Sequence, residues 1–326
     1  MRAISVENEG PDSRLVPATA DRPSPGPGEV VIAVTAAGIN RADFMQRQGF
    51  YPPPQGASPI LGLEVSGAVD ELGEGVTDLS VGDEVCALLA GGGYAEYVAV
   101  PAVQVLPIPD GVDLVEAAAL PEVAATVWSN LVLAAGLRSG ERLLIHGGAS
   151  GIGTHAIQLA RALGVEVAVT AGSQRKLDIC AQFGATTLID YHQDDFVDTV
   201  EDLGGADVIL DIIGAKYLAR NVEALASGGR LVIIGMQGGA KAELDISKLL
   251  PKRASVTATN LRGRPVDGPT GKGAIMAGVR DTTWPFVADG SIRPVVDRTF
   301  PLDEADAAHR HLFDDGAAVG KVLLTV

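Results

Sequence analysis

Cysteine is almost missing from this 326-residue chain: there are two, Cys86 and Cys180, in apolar stretches far apart in sequence. Buried thiols are therefore expected instead of a disulfide, and neither suggests a redox centre. Positive charge is scarce as well, with 25 Lys and Arg against 41 Asp and Glu, a formal net charge of -16. Such a surface repels nucleic-acid backbones and anionic lipid, and no basic patch offsets it, so neither nucleic acid nor a membrane is expected as a partner. Long hydrophobic runs are lacking too. The opening MRAISVENEGP reads as a polar-interrupted strand without an apolar signal core, and no stretch reaches the length of a membrane span; a cytoplasmic protein is the expectation. There is no internal repeat.

What the chain does have is glycine, 40 residues of it, and 19 prolines, spread among apolar runs in a sequence that is 47% hydrophobic. That distribution predicts many strand-to-turn transitions, and the length predicts two domains with sizeable cores. The most specific stretch is LLIHGGASGIG, residues 143–153. Leu143, Leu144 and Ile145 read as a buried parallel strand, residues 147–153 as a turn of small side chains, and the apolar spacing of Ile152, Ala156, Leu159, Ala160 and Leu163 as a helix ending at Gly164. A helix start behind a turn that admits close backbone approach is a diphosphate-binding arrangement. The small residues Gly147, Ser150 and Gly153, with Gly148 and Gly151 between them, depart from the common G-x-G-x-x-G fingerprint, so a tight turn without a ligand competes with this reading.

Before this turn the pattern is all-β and barrel-like, with strands expected over 29–38, 61–69, 81–89 and 94–100, a short helix over 40–48 and a proline-rich loop over 49–59 carrying Phe50 and Tyr51. After it, strands over 165–172, 186–191, 208–214, 230–235 and 255–261 complete six, and helical segments such as 176–183 and 215–226 make the pattern β-α-β with a parallel sheet. The second of these strands ends in TAGSQRK. NAD-specific sites usually place a carboxylate there; here Ser173, Arg175 and Lys176 offer donors and positive charge that suit a 2'-phosphate, which points to NADPH. The competing reading, that the two cations merely decorate a helix start, leaves them opposing the helix dipole. The tail predicts a helix over 271–288, a strand over 293–300, an amphipathic helix over 302–312 and a strand over 321–326. Surface roles are expected for His192, His309 and His311. His146 and His155 flank the glycine turn with no nucleophile beside either, so a hydrolase triad has no support.

GINRADFMQRQG, YPPP, LGLEVSG and GGGYAEYVAVP, together with the glycine turn, carry a resemblance over nearly the whole chain. It resembles the zinc-free quinone oxidoreductases, the zeta-crystallin-like branch of the medium-chain dehydrogenase/reductase superfamily; YPPP and TAGSQRK look most like the stress-inducible type in that branch. The resemblance implies an α/β protein in which a GroES-like, partly open β-barrel domain (1–120 and 262–326) flanks a Rossmann doubly wound domain (121–261), with the substrate cleft between them. The alcohol-dehydrogenase branch has zinc-binding Cys and His where this chain has Asn40 and Leu63, neither a good zinc ligand, and two cysteines cannot build the four-cysteine lobe of other relatives. No metal is therefore expected, and Glu64, next to the lost ligand position, reads as a structural relic or one that once supported a ligand from behind.

The implied activity is NADPH-dependent reduction of quinones by hydride transfer from nicotinamide C4. An enal or enone double-bond reductase would use the same cofactor and cleft, and a non-catalytic NADPH-binding regulatory protein is a reading of another class. By resemblance, Tyr191 joins Gly172, Ser173 and Lys176 around the 2'-phosphate, and Gly147, Ser150, Gly151, Ile152, Gly153 and Gly214 belong to the nucleotide site. Asn40, Thr126, Gly235, Met236, Asn260 and Lys321 fall to the nicotinamide side. Asn40 and Tyr51 are the catalytic candidates, Tyr51 either hydrogen-bonding the developing oxyanion or stacking on the ring. Residues 255–261, as a final sheet edge, predict a homodimer.

Overall fold

The computed structural model describes residues 1–313 and 316–326 and divides into two compact units, Met1–Ala125 with Leu261–Val326, and Thr126–Asn260. The first seven strands are β1 Arg2–Glu7, β2 Arg14–Thr19, β3 Glu29–Gly38, β4 Glu64–Leu72, β5 Glu84–Leu88, β6 Tyr97–Pro101 and β7 Val105–Pro107. The second unit contributes β8 Arg142–His146, β9 Glu166–Ala171, β10 Thr187–Asp190, β11 Ala206–Asp211, β12 Leu225–Ile233 and β13 Ser255–Ala258; the tail adds β14 Val296–Pro301 and β15 Lys321–Thr325.

In the first unit, seven strands form one sheet, ordered β14-β15-β3-β4-β5-β7 with β6 also on β3, and β1 pairs with β2 apart from it. Its core is aliphatic: Val30, Ile32 and Val34 alternate inward along β3 and meet Val65 and Val69 of β4, with Val322 and Leu324 from β15. β4 starts three residues after the expected point, because Gly62 has φ +101° and its N–H donates to Asp43 Oδ1 at 2.9 Å, so residues 61–63 are a buried bend. β2 was not expected at all; Pro17 lies inside it and is tolerated because, among the described residues, β1 is its only strand partner. In the tail, two helices, Lys272–Thr282 and Trp284–Ala288, replace the single one over 271–288, with Pro285 in the first turn of the second.

The second unit is a six-stranded parallel sheet, ordered β10-β9-β8-β11-β12-β13. Chain order reverses between β8 and β11, the place where open α/β sheets bind ligands beyond the strands' C-terminal ends. Helices Gly151–Ala162, Gln174–Phe183, Phe196–Asp202 and Leu218–Ala224 connect the strands.

Two expectations are corrected. Among the described residues, the helical run Glu116–Ala134 is long and apolar enough to cross a membrane, but 72% of its most apolar window is buried inside the fold, which marks a core helix. His309 is not on the surface: it is fully buried, 3.0 Å from the Tyr94 hydroxyl, and loss of solvation pushes its pKa down to about 3. His311 pairs with Asp297 at 2.7 Å. Cys86 and Cys180 are free buried thiols whose acidity burial suppresses.

Candidate functional site

Strand β8 runs into Gly147, whose φ of +76° turns the chain towards the helix Gly151–Ala162. Ser150 caps that helix, its Oγ accepting from Gly153 N at 3.0 Å and donating to the Gly147 carbonyl at 2.8 Å. A Cβ on Gly153 would overlap the carbonyl oxygens of Gly147 and Gly148, so only glycine fits. The cap leaves the N–H groups of Gly151 and Ile152 without an intrahelical acceptor at the positive end of a 12-residue helix. Beneath the turn, the buried His146 ring is fixed between Asn221 Oδ1 at 2.8 Å and Thr170 Oγ1 at 3.1 Å, and burial pushes its pKa down to about 4. It is a neutral spacer.

At the end of β9, a Cβ on Gly172 would collide with the Tyr191 hydroxyl; the glycine is what lets that hydroxyl approach the strand end. Ser173 occupies the N-cap of Gln174–Phe183 with no side-chain cap bond, and the first turn carries Arg175 and Lys176 with no acidic residue. The neighbouring acid, Asp190, is committed to its own turn, accepting from His192 N and Gln193 Nε2 at 3.0 Å each. Tyr191 remains 46% exposed. Gly172, Ser173, Lys176 and Tyr191 thus lie on adjacent strand ends, β9 and β10.

The ends of β11 and β12 are also backbone to backbone: a Cβ on Gly214 would lie 3.0 Å from the Gly235 carbonyl and 3.2 Å from Met236 Cα. Buried Asp211 shapes this bend by accepting from Ile213 N at 2.7 Å and Gly214 N at 3.0 Å. Asn130 links the other two residues assigned here: its Nδ2 donates to the Thr126 carbonyl at 2.7 Å, and its Oδ1 accepts from Thr259, next to Asn260, at 2.5 Å.

In the first unit, Asn40 and Lys321 come together, Nζ to Oδ1, at 2.7 Å. Between them lies Glu64, fully buried, 2.5 Å from Lys321 Nζ and 2.9 Å from Asn40 Nδ2. Glu64 is the pivot of a buried ion pair, a structural role. Leu63 beside it is buried hydrocarbon. Tyr51 is half-buried on its loop, and the residue that holds the loop, Arg262, was missed by sequence reasoning. Its guanidinium donates to the Tyr51 carbonyl at 3.2 Å, Ala90 O at 2.8 Å and Gln46 Oε1 at 2.7 Å, and lies 5.4 Å from the Tyr51 ring centroid. Nothing in NLRGRP signals this, since all three acceptors are distant in sequence.

Residues 151–269 match the family described as zinc-binding dehydrogenase, and residues 26–110 the alcohol dehydrogenase GroES-like domain. The human synaptic vesicle membrane protein VAT-1 homolog is 33% identical over 93% of this chain and 80% of its own length. The chain belongs to the medium-chain dehydrogenase/reductase superfamily. Within that superfamily, rat quinone oxidoreductase is 29% identical over 99% of this chain and 97% of its own. A mycobacterial structure complexed with NADPH superposes with a TM-score of 0.88 at 30% identity, covering all of both chains. Despite the description of one matching family, no group of three or more His, Cys, Asp or Glu placed to hold a metal occurs among the described residues.

Proposed function

We propose that this protein is an NADPH-dependent, zinc-independent quinone reductase. The observation that carries the cofactor assignment is the acid-free cluster of Gly172, Ser173, Arg175, Lys176 and Tyr191 beside the glycine turn. NADPH, when bound, supplies a hydride from nicotinamide C4. The residues present fit such a group: the turn at 147–153 is built mostly of small residues, and the first N–H groups of the helix, at Gly151 and Ile152, would hold a diphosphate. The quinone assignment is supported by the rat relative and by the chemistry of the first unit. A quinone accepts hydride without a Lewis acid, and the residues at the zinc positions are an amide already engaged by Lys321 and Glu64 and a buried leucine. Steady-state NADPH oxidation with an ortho-quinone, a para-quinone and an alkenal, each with and without chelator, tests the reading. Turnover of a quinone that survives chelation supports it; turnover of the alkenal alone, or none, overturns it.

Lys176→Ala is expected to narrow the preference for NADPH over NADH, since one charged hydrogen bond to phosphate is worth roughly 1.5–3 kcal/mol. Titration of both nucleotides checks this, and an unchanged affinity ratio removes Lys176 from the phosphate site. Tyr51→Phe separates the two roles of that residue. A hydroxyl that stabilises charge on the quinone oxygen predicts a loss of about 10-fold or more in turnover at constant NADPH affinity. A stacking ring predicts a silent Phe variant and an Ala variant with a raised quinone KM. Stacking is the expected outcome, because Arg262 already lies over this ring and a quinone demands little electrophilic help.

The reading includes a homodimer. Among the described residues β13 has one strand partner, β12, and ends the sheet; Ile246 and Leu250 in the preceding helix are 64% and 72% exposed. Light scattering at micromolar concentration is expected to give twice the 33.5 kDa chain mass.

A further inference from the structure

Below the glycine turn, the ends of the neighbouring strands β11, β8 and β9 are joined by a chain of buried polar side chains whose direction is fixed at one end. That end is Asp211. Its carboxylate accepts from Ile213 N at 2.7 Å and Gly214 N at 3.0 Å and faces the amide of Asn221. Asn221 Nδ2 has no partner at ordinary hydrogen-bond distance among the described residues, yet it works against the rise in the Asp211 pKa that burial causes. Turning this amide over would set its oxygen against the carboxylate, so Oδ1 faces the His146 ring, 2.8 Å from Nε2. An amide oxygen only accepts. His146 is buried and neutral, so its single ring proton sits on Nε2, and Nδ1 is a bare acceptor. Phe196 and Tyr217, near-perpendicular to the imidazole with ring centres 4.8 and 4.9 Å away, keep it from turning. What meets Nδ1, at 3.1 Å, is the Thr170 hydroxyl, which therefore donates to it.

The hydroxyl proton of Thr170 is thus committed, and Oγ1 presents a lone pair to the glycine turn. Gly147 N lies 3.4 Å from it and 3.1 Å from the Thr170 carbonyl, which also accepts from Gly148 N at 3.0 Å. The first two N–H groups of the turn are drawn onto β9. Resting on the reading of this turn as the nucleotide site, we propose that Thr170, His146 and Asn221 are positioning residues: a one-way hydrogen-bond chain anchored on Asp211 holds the glycine turn in its binding shape before NADPH arrives, and none of the three touches the nucleotide. A turn already held loses no freedom on binding. One released from Thr170 binds more weakly, in proportion to the fraction of time it spends in that shape.

Amide exchange at Gly147 in the nucleotide-free protein reads the turn directly, 15N spectra of the His146 ring read the direction of the chain, and fluorescence titration reads NADPH. Melting transitions are checked first, and the ring spectrum of the wild type needs no variant to fold. Thr170→Val removes the hydroxyl at nearly constant shape. It is expected to speed Gly147 exchange about 5-fold and to raise the NADPH Kd by about the same factor, while Thr170→Ser, which keeps the hydroxyl, stays within about two-fold of the wild type on both. Asn221→Leu is expected to raise the Kd about 3-fold and to release the His146 proton to both ring nitrogens; combining it with Thr170→Val should add nothing further to the Kd. A wild-type ring protonated on Nδ1, unchanged exchange in Thr170→Val, or additive losses in the double variant overturns the proposal. Lys176→Ala separates it from the underlying reading: if that variant weakens NADPH while Thr170→Val binds as the wild type does, this inference alone fails, and if the wild type binds no NADPH, both fall.

Discussion

Between pH 7.5 and pH 5 the protein is expected to lose about 4 kcal/mol of folding stability, well before its carboxylates are neutralised. His146, His155 and His309 are all buried, and desolvation pushes their pKa values down to about 4, 4 and 3. In the unfolded chain each titrates near the ordinary 6.5. The unfolded state therefore binds more protons below that pH, and the stability these residues contribute, complete above 6.5, is lost as pH falls towards their folded values. Each is worth about 2 kcal/mol at pH 5. Asp43 works in the opposite direction. Burial raises its pKa to about 6, so it is protonated in the folded state first and returns about 1–2 kcal/mol over the same window. Urea unfolding at pH 7.5, 6.5 and 5 measures the difference, and equal free energies at the three values would contradict the burial of these rings. His155→Leu isolates one of them. Its Nε2 has no hydrogen-bond partner among the described residues, so the substitution should remove about a third of the histidine slope and break no bond at that atom.

Those histidines mark where sequence stopped being informative. The glycine turn, the six parallel strands and the acid-free TAGSQRK stretch are local patterns: a strand, a cap and a helix start within a dozen residues, with steric demands that glycine and serine announce. The glycine turn could be read because its geometry is made by neighbours in sequence. His309 could not be placed that way. On an amphipathic helix it reads as polar surface, and what satisfies its buried Nε2 is the Tyr94 hydroxyl, 215 residues away. The ion pair of Glu64 and Lys321 is hidden for the same reason in reverse. Each looks costly to bury alone; their direct attraction, with Lys321 Nζ 2.5 Å from Glu64 and Asn40 hydrogen-bonded to both, is what makes the burial tolerable. Arg262 sits in a glycine-flanked stretch that reads as a linker, and its three acceptors come from three separate segments. Contacts of this kind leave no period or spacing in the chain.

Gly153→Val is expected to weaken NADPH binding by about 4 kcal/mol, close to three orders of magnitude in Kd. The added Cβ would overlap two carbonyl oxygens of the turn, Gly147 and Gly148, which are backbone atoms and cannot swing aside as a flexible side chain does. Either the helix start or the turn must move, an overpacking strain of about 1–3 kcal/mol, and the movement breaks the Ser150 cap on Gly153 N. It also displaces the N–H groups of Gly151 and Ile152, whose charge-assisted bonds to a diphosphate contribute roughly 1.5–3 kcal/mol each. The control is Gly140→Ala. Gly140 has φ +82° with nothing within 4 Å of an added Cβ, so alanine there costs about 1–2 kcal/mol of backbone strain and leaves the turn alone. Calorimetric titration of both variants, with melting curves, distinguishes the cases. A Gly140 variant that is less stable but binds normally, beside a Gly153 variant that folds and does not bind, places the diphosphate at this turn; equal affinities in the two would move the nucleotide elsewhere.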